Sequence, residues 1–337
     1  MGHKHPGGGI RGFLHRVLTP HSHEMSGRVD PVVETSAEGI RAVKISLVAL
    51  LLTAALQGFV VVVSGSVALL GDTLHNVADA LTAVPLWIAF SVGRRPPTRR
   101  YTYGFGRAED LAGVFIVLTI AFSAIVVLVE SIDRLLHPQE VRDLALVFAA
   151  SAVGFVGNEL VALYRIRVGR KIGSAALVAD GLHARVDGLT SLAVMAGAAG
   201  VAAGYASADA IVGLLIALAI LAILKGAARD VYERLMDAVS PELVDAIEKA
   251  VGAVDGVEHV DEVRVRWIGH ALRAEINLTL DASLTLREGH ALAVRAHHVL
   301  LHEVPRLSYA TVHVSPSHRT GDDPHAEIAH HFAGRRA

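Results

Sequence analysis

Histidine and aspartate recur at a fixed spacing in two apolar stretches of the chain. SVALLGDTLHNVADALT occupies positions 66–82, and SAALVADGLHARVDGLT occupies positions 174–190. Nine of these 17 positions are identical at a constant offset of 108 residues. Both copies contain the pattern Asp-x-x-His-x-x-x-Asp, whose members are Asp72, His75, Asp79, Asp180, His183 and Asp187. Because residues four apart lie on one face of a helix, each copy predicts an imidazole and a carboxylate that face the same way.

Two such helices would supply two nitrogen and two oxygen ligands. That set completes a tetrahedron around Zn²⁺ at ligand distances of about 2.0–2.2 Å. Two aspartates also neutralise one dication, and in the empty site the same carboxylates would attract protons that metal entry expels. We therefore predict a metal site made of His75, Asp79, His183 and Asp187, in which one divalent cation exchanges for protons.

The first aspartate of each copy has several roles open to it. Asp72 and Asp180 lie about one helical turn before the histidines. They could orient the histidines by hydrogen bonding, cap the start of the helix or line the entry path of the ion. The sequence alone leaves these three roles open.

Composition places these motifs in a membrane. The chain has 337 residues, of which 52% are hydrophobic and 19% charged. Apolar runs of about 20 residues match a hydrocarbon core of roughly 30 Å, and six spans are predicted at 42–64, 67–91, 111–134, 143–165, 175–200 and 207–226. A net charge of −2 gives no reason to expect a nucleic acid partner, and the absence of cysteine leaves His and carboxylates as the strong metal ligands.

The charges of the connectors predict the topology. Arginine and lysine cluster after spans two and four, at Arg94, Arg95, Arg99, Arg100, Arg107, Arg165, Arg167, Arg170 and Lys171. Cationic connectors stay on the cytoplasmic side, so both termini are expected in the cytoplasm of a multi-pass protein of the plasma (inner) membrane. The offset between the two motifs crosses three spans, an odd number. The copies therefore run in opposite directions and their ligands are expected to meet near the midplane.

Four regions follow from these patterns. Residues 1–40 are predicted to be a disordered, His-rich cytoplasmic arm, and residues 41–228 the six-helix transmembrane domain. Residues 229–317 alternate in the order α-β-β-α-β, which predicts a cytoplasmic α+β domain of the ferredoxin or metallochaperone type that dimerises or regulates. Residues 318–337 are predicted to be a disordered tail that contains histidine.

Through these motifs, the chain resembles the cation diffusion facilitator family. The similarity covers roughly residues 40–317 and depends on GDTLHNVADAL, YGFGRAEDLAG, SAALVADGLHARVDGLTS and the α-β-β-α-β order. It implies efflux of Zn²⁺, with Cd²⁺ or Co²⁺ as alternative cargo, in exchange for protons. It also implies a homodimer that alternates between inward- and outward-facing states. The transport site of the family carries over onto His75, Asp79, His183 and Asp187.

The resemblance extends to weaker positions and also fails at some. His290 and His313 match a metal site in the cytoplasmic domain of relatives, but Asn277 and Ser315 replace expected ligands, so plain surface histidines are an equal alternative. Arg107 and Asp237 match a charge pair between the two domains; a generic interfacial arginine is the alternative. The stretch 100–105, where some relatives hold a second metal, has no ligand residues.

Other functions are less consistent with the sequence. An intramembrane metalloenzyme normally has three protein ligands and an open position, whereas the repeat supplies four ligands, and H-E-x-x-H does not occur. We therefore expect no enzyme and no organic cofactor. Two alternatives remain open. One is a membrane metal sensor that binds without transport, and the other is a carrier selective for Fe²⁺, Ni²⁺ or Mn²⁺.

Overall fold

A computed structural model describes residues 31–64, 81–136, 144–205, 208–317 and residue 331. The predicted ligands His75 and Asp79, together with Asp72, lie outside these described residues. So do the first thirty residues of the predicted arm and most of the predicted tail.

Six helices occupy the region of the predicted spans. They are α1 (Pro31–Ser64), α2 (Ala83–Gly93), α3 (Arg107–Leu136), α4 (Leu144–Ile172), α5 (Ala175–Ala202) and α6 (Ala208–Leu235). Among the described residues, each helix overlaps one predicted span, and α2 represents the described part of the second. The prediction of an α-helical membrane protein with six spans is confirmed.

The outward faces of the bundle are apolar. In the described part of the chain, α1, α3, α4 and α6 each contain a stretch long and apolar enough to cross a membrane. Their exposed side chains include large hydrophobic ones, among them Leu52, Phe59, Phe122, Leu160 and Leu218. Large apolar side chains on the outward faces of helices this long are suited to contact with lipid, which fits an integral membrane protein.

Helices α1, α4 and α6 extend furthest beyond the predicted spans. Helix α1 begins at Pro31, so residues 31–40 are helical and do not belong to the predicted arm. Helix α4 continues to Ile172, and α6 continues to Leu235, past the predicted boundary at 228. Hydropathy marks only the part of a helix that meets lipid. The polar turns that project from the membrane were therefore missed by a prediction based on apolar runs.

A sharp turn joins α4 to α5. Gly173 has a φ of +78°, which glycine adopts without strain, and the Ser174 hydroxyl accepts a hydrogen bond from the Leu177 N–H at 3.0 Å. The two helices then pack closely, since a Cβ placed on Gly181 would lie 2.9 Å from the backbone nitrogen of Ile166. Small residues at such a contact let membrane helices approach each other, and α5 is thereby buried within the bundle along its first half.

The remaining chain forms a separate α+β layer structure. Its elements are α7 (Pro241–Gly252), β1 (Val257–Ile268), β2 (Ala271–Leu280), α8 (Leu286–Glu303) and β3 (Leu307–Pro316). The sheet order is β1-β2-β3, with β1 antiparallel and β3 parallel to β2. Alternate residues of β2 point into a core shared with both helices, which includes Ile247, Leu272, Ile276, Leu278 and Leu300. The predicted order α-β-β-α-β is confirmed.

Candidate metal centre

Helix α5 carries a buried histidine and a buried aspartate on the same face. His183 and Asp187 are 1% and 4% exposed, and His183 Nδ1 lies 3.8 Å from Asp187 Oδ1. This is the i, i+4 relation expected from the motif. Because His75 and Asp79 lie outside the described residues, the four-ligand site stays a prediction, of which the structure describes the α5 half.

Neutral polar groups of α5 and of the neighbouring helices α1 and α4 are buried near this level of α5. Gln57 of α1, Asn158 of α4 and Ser191 of α5 are all buried. The Gln57 amide donates a hydrogen bond to the Ala150 carbonyl of α4 at 3.3 Å. Polar side chains this deep in a bundle are costly unless they are partnered. Gln57 and Ser191 were not predicted, because isolated amides and hydroxyls in apolar runs have no repeated spacing.

The interior also contains an ion pair that the sequence did not reveal. Arg165 Nη1 of α4 lies 3.0 Å from Asp180 Oδ2 of α5, and both side chains are almost fully buried. Arg165 was assigned to the connector after span four, which is wrong because α4 continues to Ile172. The structure thus shows that the charge of the Asp180 carboxylate is balanced by this arginine, an arrangement that was not among the three roles considered. Those three roles stay predictions.

The charge pair expected between the two domains is in contact. Arg107, the first residue of α3, donates a hydrogen bond to Asp237 at 2.5 Å and lies 3.3 Å from Asp110. Asp237 follows the end of α6 and has a φ of +56°. The pair therefore joins the start of α3 to the segment that leads from α6 into the C-terminal domain.

The predicted histidine ligands of the C-terminal domain lie on two different elements. His313 of β3 is the register partner of Asn277 of β2, and His290 is exposed on α8. Among the described residues, no three or more His, Asp or Glu side chains come together in a way that could hold a metal. A metal site at His290 and His313 stays a prediction.

A lipid-facing bundle with an ionisable pair in its interior is typical of membrane proteins that move ions. The fold and the site therefore place this chain in that class of protein. Comparisons with known proteins agree with this class. Residues 43–236 match the family described as "Cation efflux transmembrane domain", and residues 239–317 match "Cation efflux protein, cytoplasmic domain".

Several curated relatives are similar over most of their length. The "Probable cation efflux system protein Rv2025c" of Mycobacterium tuberculosis is 56% identical over 94% of this chain and 95% of the relative. The "Manganese efflux system protein MneP" of Bacillus subtilis is 26% identical over 81% and 94%. The "Cation-efflux pump FieF" of Serratia proteamaculans is 27% identical over 72% and 81%. The chain belongs to the cation diffusion facilitator family, a family of membrane transporters of divalent cations.

A solved structure is similar to the C-terminal domain alone. A MamM-CTD structure is 19% identical, covers 23% of this chain and 96% of its own, and has a TM-score of 0.22.

Proposed function

We propose that the protein exports Zn²⁺ from the cytoplasm in exchange for protons. The observation that carries this proposal is the pair of His183 and Asp187, buried on one face of α5 and 3.8 Å apart. An imidazole nitrogen and a carboxylate oxygen are ligands that Zn²⁺ prefers. The matching His75 and Asp79 of the repeated motif would supply the other two ligands.

Proton exchange follows from the charges of these ligands. Two carboxylates balance a bound dication, but without metal they would carry unpaired negative charge in a medium of low polarity. Protonation of the empty site removes that charge. Metal binding then displaces the protons, because metal and protons compete for the same atoms.

Alternating access is supported by the repeat. From their offset in the sequence, the two copies of the motif are predicted to lie on spans that run in opposite directions, the arrangement found where a central site opens to each side in turn. The cationic end of α4, with Arg167, Arg170 and Lys171, favours a cytoplasmic position for both termini. We also infer a homodimer in the plasma (inner) membrane, as the family resemblance implies.

Two metals are candidates for the transported ion. Histidine favours Zn²⁺, Co²⁺ or Cd²⁺ over Mn²⁺, which prefers oxygen ligands. One relative, however, is named as a manganese efflux protein, so Mn²⁺ is the second candidate. Competition among Zn²⁺, Cd²⁺, Co²⁺ and Mn²⁺ for uptake into proteoliposomes decides between them, and a preference for Mn²⁺ would contradict the zinc proposal.

A matched pair of variants tests the site. Asp187→Ala removes a proposed ligand and one of two balancing charges, so Zn²⁺ flux should fall at least about a hundredfold, which corresponds to a loss of about 2.7 kcal/mol or more. Glu233→Gln, which removes a partly exposed carboxylate paired with Arg229 on α6, should keep normal flux. Full flux in Asp187→Ala, in protein that elutes normally in gel filtration, would show that the site is elsewhere.

A further inference from the structure

The tip of the hairpin between β1 and β2 is buried among the ends of the membrane helices. His270 at this tip is only 7% exposed. Its Nε2 lies 3.2 Å from the Ser36 hydroxyl of α1, and its Nδ1 lies 2.7 Å from Glu109 Oε2 of α3. The ring of Phe90 from α2 packs beside it at a centroid distance of 5.9 Å.

Backbone contact brings the hairpin this close. Gly269 has a φ of +61°, and a Cβ on it would lie 2.9 Å from the Gly106 carbonyl oxygen. A Cβ on Gly106 would in turn lie 2.9 Å from Ile268 Cγ2. Larger residues at either glycine would push the hairpin away from the start of α3. The two glycines therefore make the insertion of His270 sterically possible.

An arginine from the end of α6 fixes the same hairpin. Arg234 donates hydrogen bonds to the Gly269 carbonyl at 3.1 Å and to the Gly173 carbonyl of the α4–α5 turn at 2.7 Å. Its guanidinium also stacks over the Trp267 ring at 3.8 Å. The hairpin tip is thus held from several sides, and the position of His270 is well defined.

His270 connects two helices that share α2 as a packing partner but otherwise pack on different helices. Among the described residues, α1 packs mainly on α4 and α2, while α3 packs mainly on α6, α5 and α2. The imidazole contacts one side chain from each of α1 and α3. If the ends of these helices move apart, at least one of the two hydrogen bonds must break.

The hydrogen bonds persist in both protonation states of the imidazole. A neutral ring protonated at Nδ1 donates to Glu109 and accepts from the Ser36 hydroxyl, whereas an imidazolium donates to both oxygens. Other charged groups at this end include Arg107, Asp110, Arg234 and Asp237. The connection therefore depends on the geometry of the ring rather than on one protonation state.

We propose that His270 is a positioning residue through which the C-terminal domain holds the ends of α1 and α3 together, and that opening of the bundle at this end requires its release. A movement of the C-terminal domain would then change how readily the helices separate. This inference concerns the coupling between the domains and does not depend on which ion is carried.

The absence of cysteine from the sequence makes a clean accessibility experiment possible. Val43→Cys places a thiol at a position 1% exposed, seven residues and about two turns beyond Ser36 on the same face of α1. We call this thiol the α1 reporter. Ala217→Cys places a second thiol, the α6 reporter, at another buried position, 17 residues before Arg234. The rate of reaction with a maleimide is measured on the full-length protein in detergent, without added metal.

His270→Ala should raise the reaction rate of the α1 reporter roughly tenfold, the effect expected when a hydrogen bond to a charged group is lost. The rate of the α6 reporter should stay unchanged. His270→Gln should keep a rate near that of the parent, because its amide can donate to Glu109 and accept from Ser36. His259→Ala, at an exposed position of β1, is the matched control and should change neither rate.

An unchanged rate of the α1 reporter in His270→Ala would overturn the proposal. An equal rise at both reporters would also overturn it, since that result indicates general loosening of the fold. The readout needs no ion flux, so a failure here is distinguishable from a failure of the proposed zinc transport.

Discussion

Arg165 and Asp180 place opposite charges 3.0 Å apart in the interior of the bundle. Removing one partner of such a pair leaves an uncompensated buried charge, which typically costs about 3–5 kcal/mol. We therefore expect Asp180→Asn to lower the thermal stability of the detergent-solubilised protein strongly. Glu38→Gln, which breaks a more exposed pair with Lys171, should change the free energy of unfolding by at most about 1 kcal/mol.

The double variant Arg165→Met with Asp180→Leu should recover most of that stability, because apolar side chains replace both charges. Thermal unfolding followed by circular dichroism compares the variants. If Asp180→Asn is no more destabilising than Glu38→Gln, the ion pair does not stabilise the bundle.

Individual residues were predictable where they repeat with a helical period. His183 and Asp187 were placed on one face of a helix from their spacing alone, and the structure shows them there. Arg165 was missed because a cation near the end of an apolar run is normally interpreted as part of a connector. Its burial becomes evident only when α4 and α5 are packed together, because its partner is 15 residues away in the sequence.

At the scale of elements, the close packing of α4 on α5 depends on Gly181. A methyl group there would lie 2.9 Å from the backbone nitrogen of Ile166, which cannot move aside as a side chain would. Gly181→Ala should therefore lower the free energy of unfolding by about 1–3 kcal/mol. Gly226→Ala in α6 has open space around its Cβ and should be neutral or stabilise by about 0.5–1 kcal/mol.

Thermal unfolding of both glycine variants in the same detergent tests this contact. Equal melting temperatures for Gly181→Ala and Gly226→Ala would show that the close approach of α4 and α5 at Gly181 does not contribute to stability.

Helix α8 contains a group whose titration makes the C-terminal domain sensitive to acid. Partial burial, and then the nearby His298, lower the pKa of His297 below its ordinary value of about 6.5. The folded domain thus binds fewer protons than the unfolded chain, and stability is lost as the pH falls through the ordinary value. Protection factors of α8 amides should decrease between about pH 7.5 and about pH 5.5, a window that brackets that ordinary pKa.

The same hydrogen-exchange measurement on His297→Gln should show a smaller decrease, because the titrating group is gone. His290→Gln, an exposed position on the same helix, is the control and should behave as the parent. An identical pH dependence in His297→Gln and the parent would contradict this assignment.

The elements were predictable in type and order, but their ends were not. Apolar runs gave the six spans, and alternation gave β2 and the order α-β-β-α-β. The polar ends of α1, α4 and α6 lie beyond the apolar runs, where the C-terminal domain is held by groups such as Ser36 and Arg234. Those ends are determined by tertiary contact, which hydropathy does not record.

At the scale of the whole molecule, the division into a membrane bundle and an α+β domain was predictable from composition. The way in which the domain contacts the bundle was not. It depends on Gly269 and Gly106, which meet across more than 160 residues of sequence, and on His270, which looks like one ordinary polar residue in a turn. Contacts of this kind have no local signature and emerge only from the packed structure.

Metal–proton exchange by the intact protein is tested most directly by measuring both fluxes in one vesicle. Purified protein is placed in liposomes that contain a pH-sensitive dye, and Zn²⁺ is added outside with no initial pH gradient. We expect Zn²⁺ uptake together with proton export from the vesicle, which the dye reports as a rise of the internal pH. Neither signal should appear with Asp187→Ala. Zn²⁺ uptake at constant internal pH would contradict proton exchange, and Zn²⁺ binding without uptake would contradict transport itself.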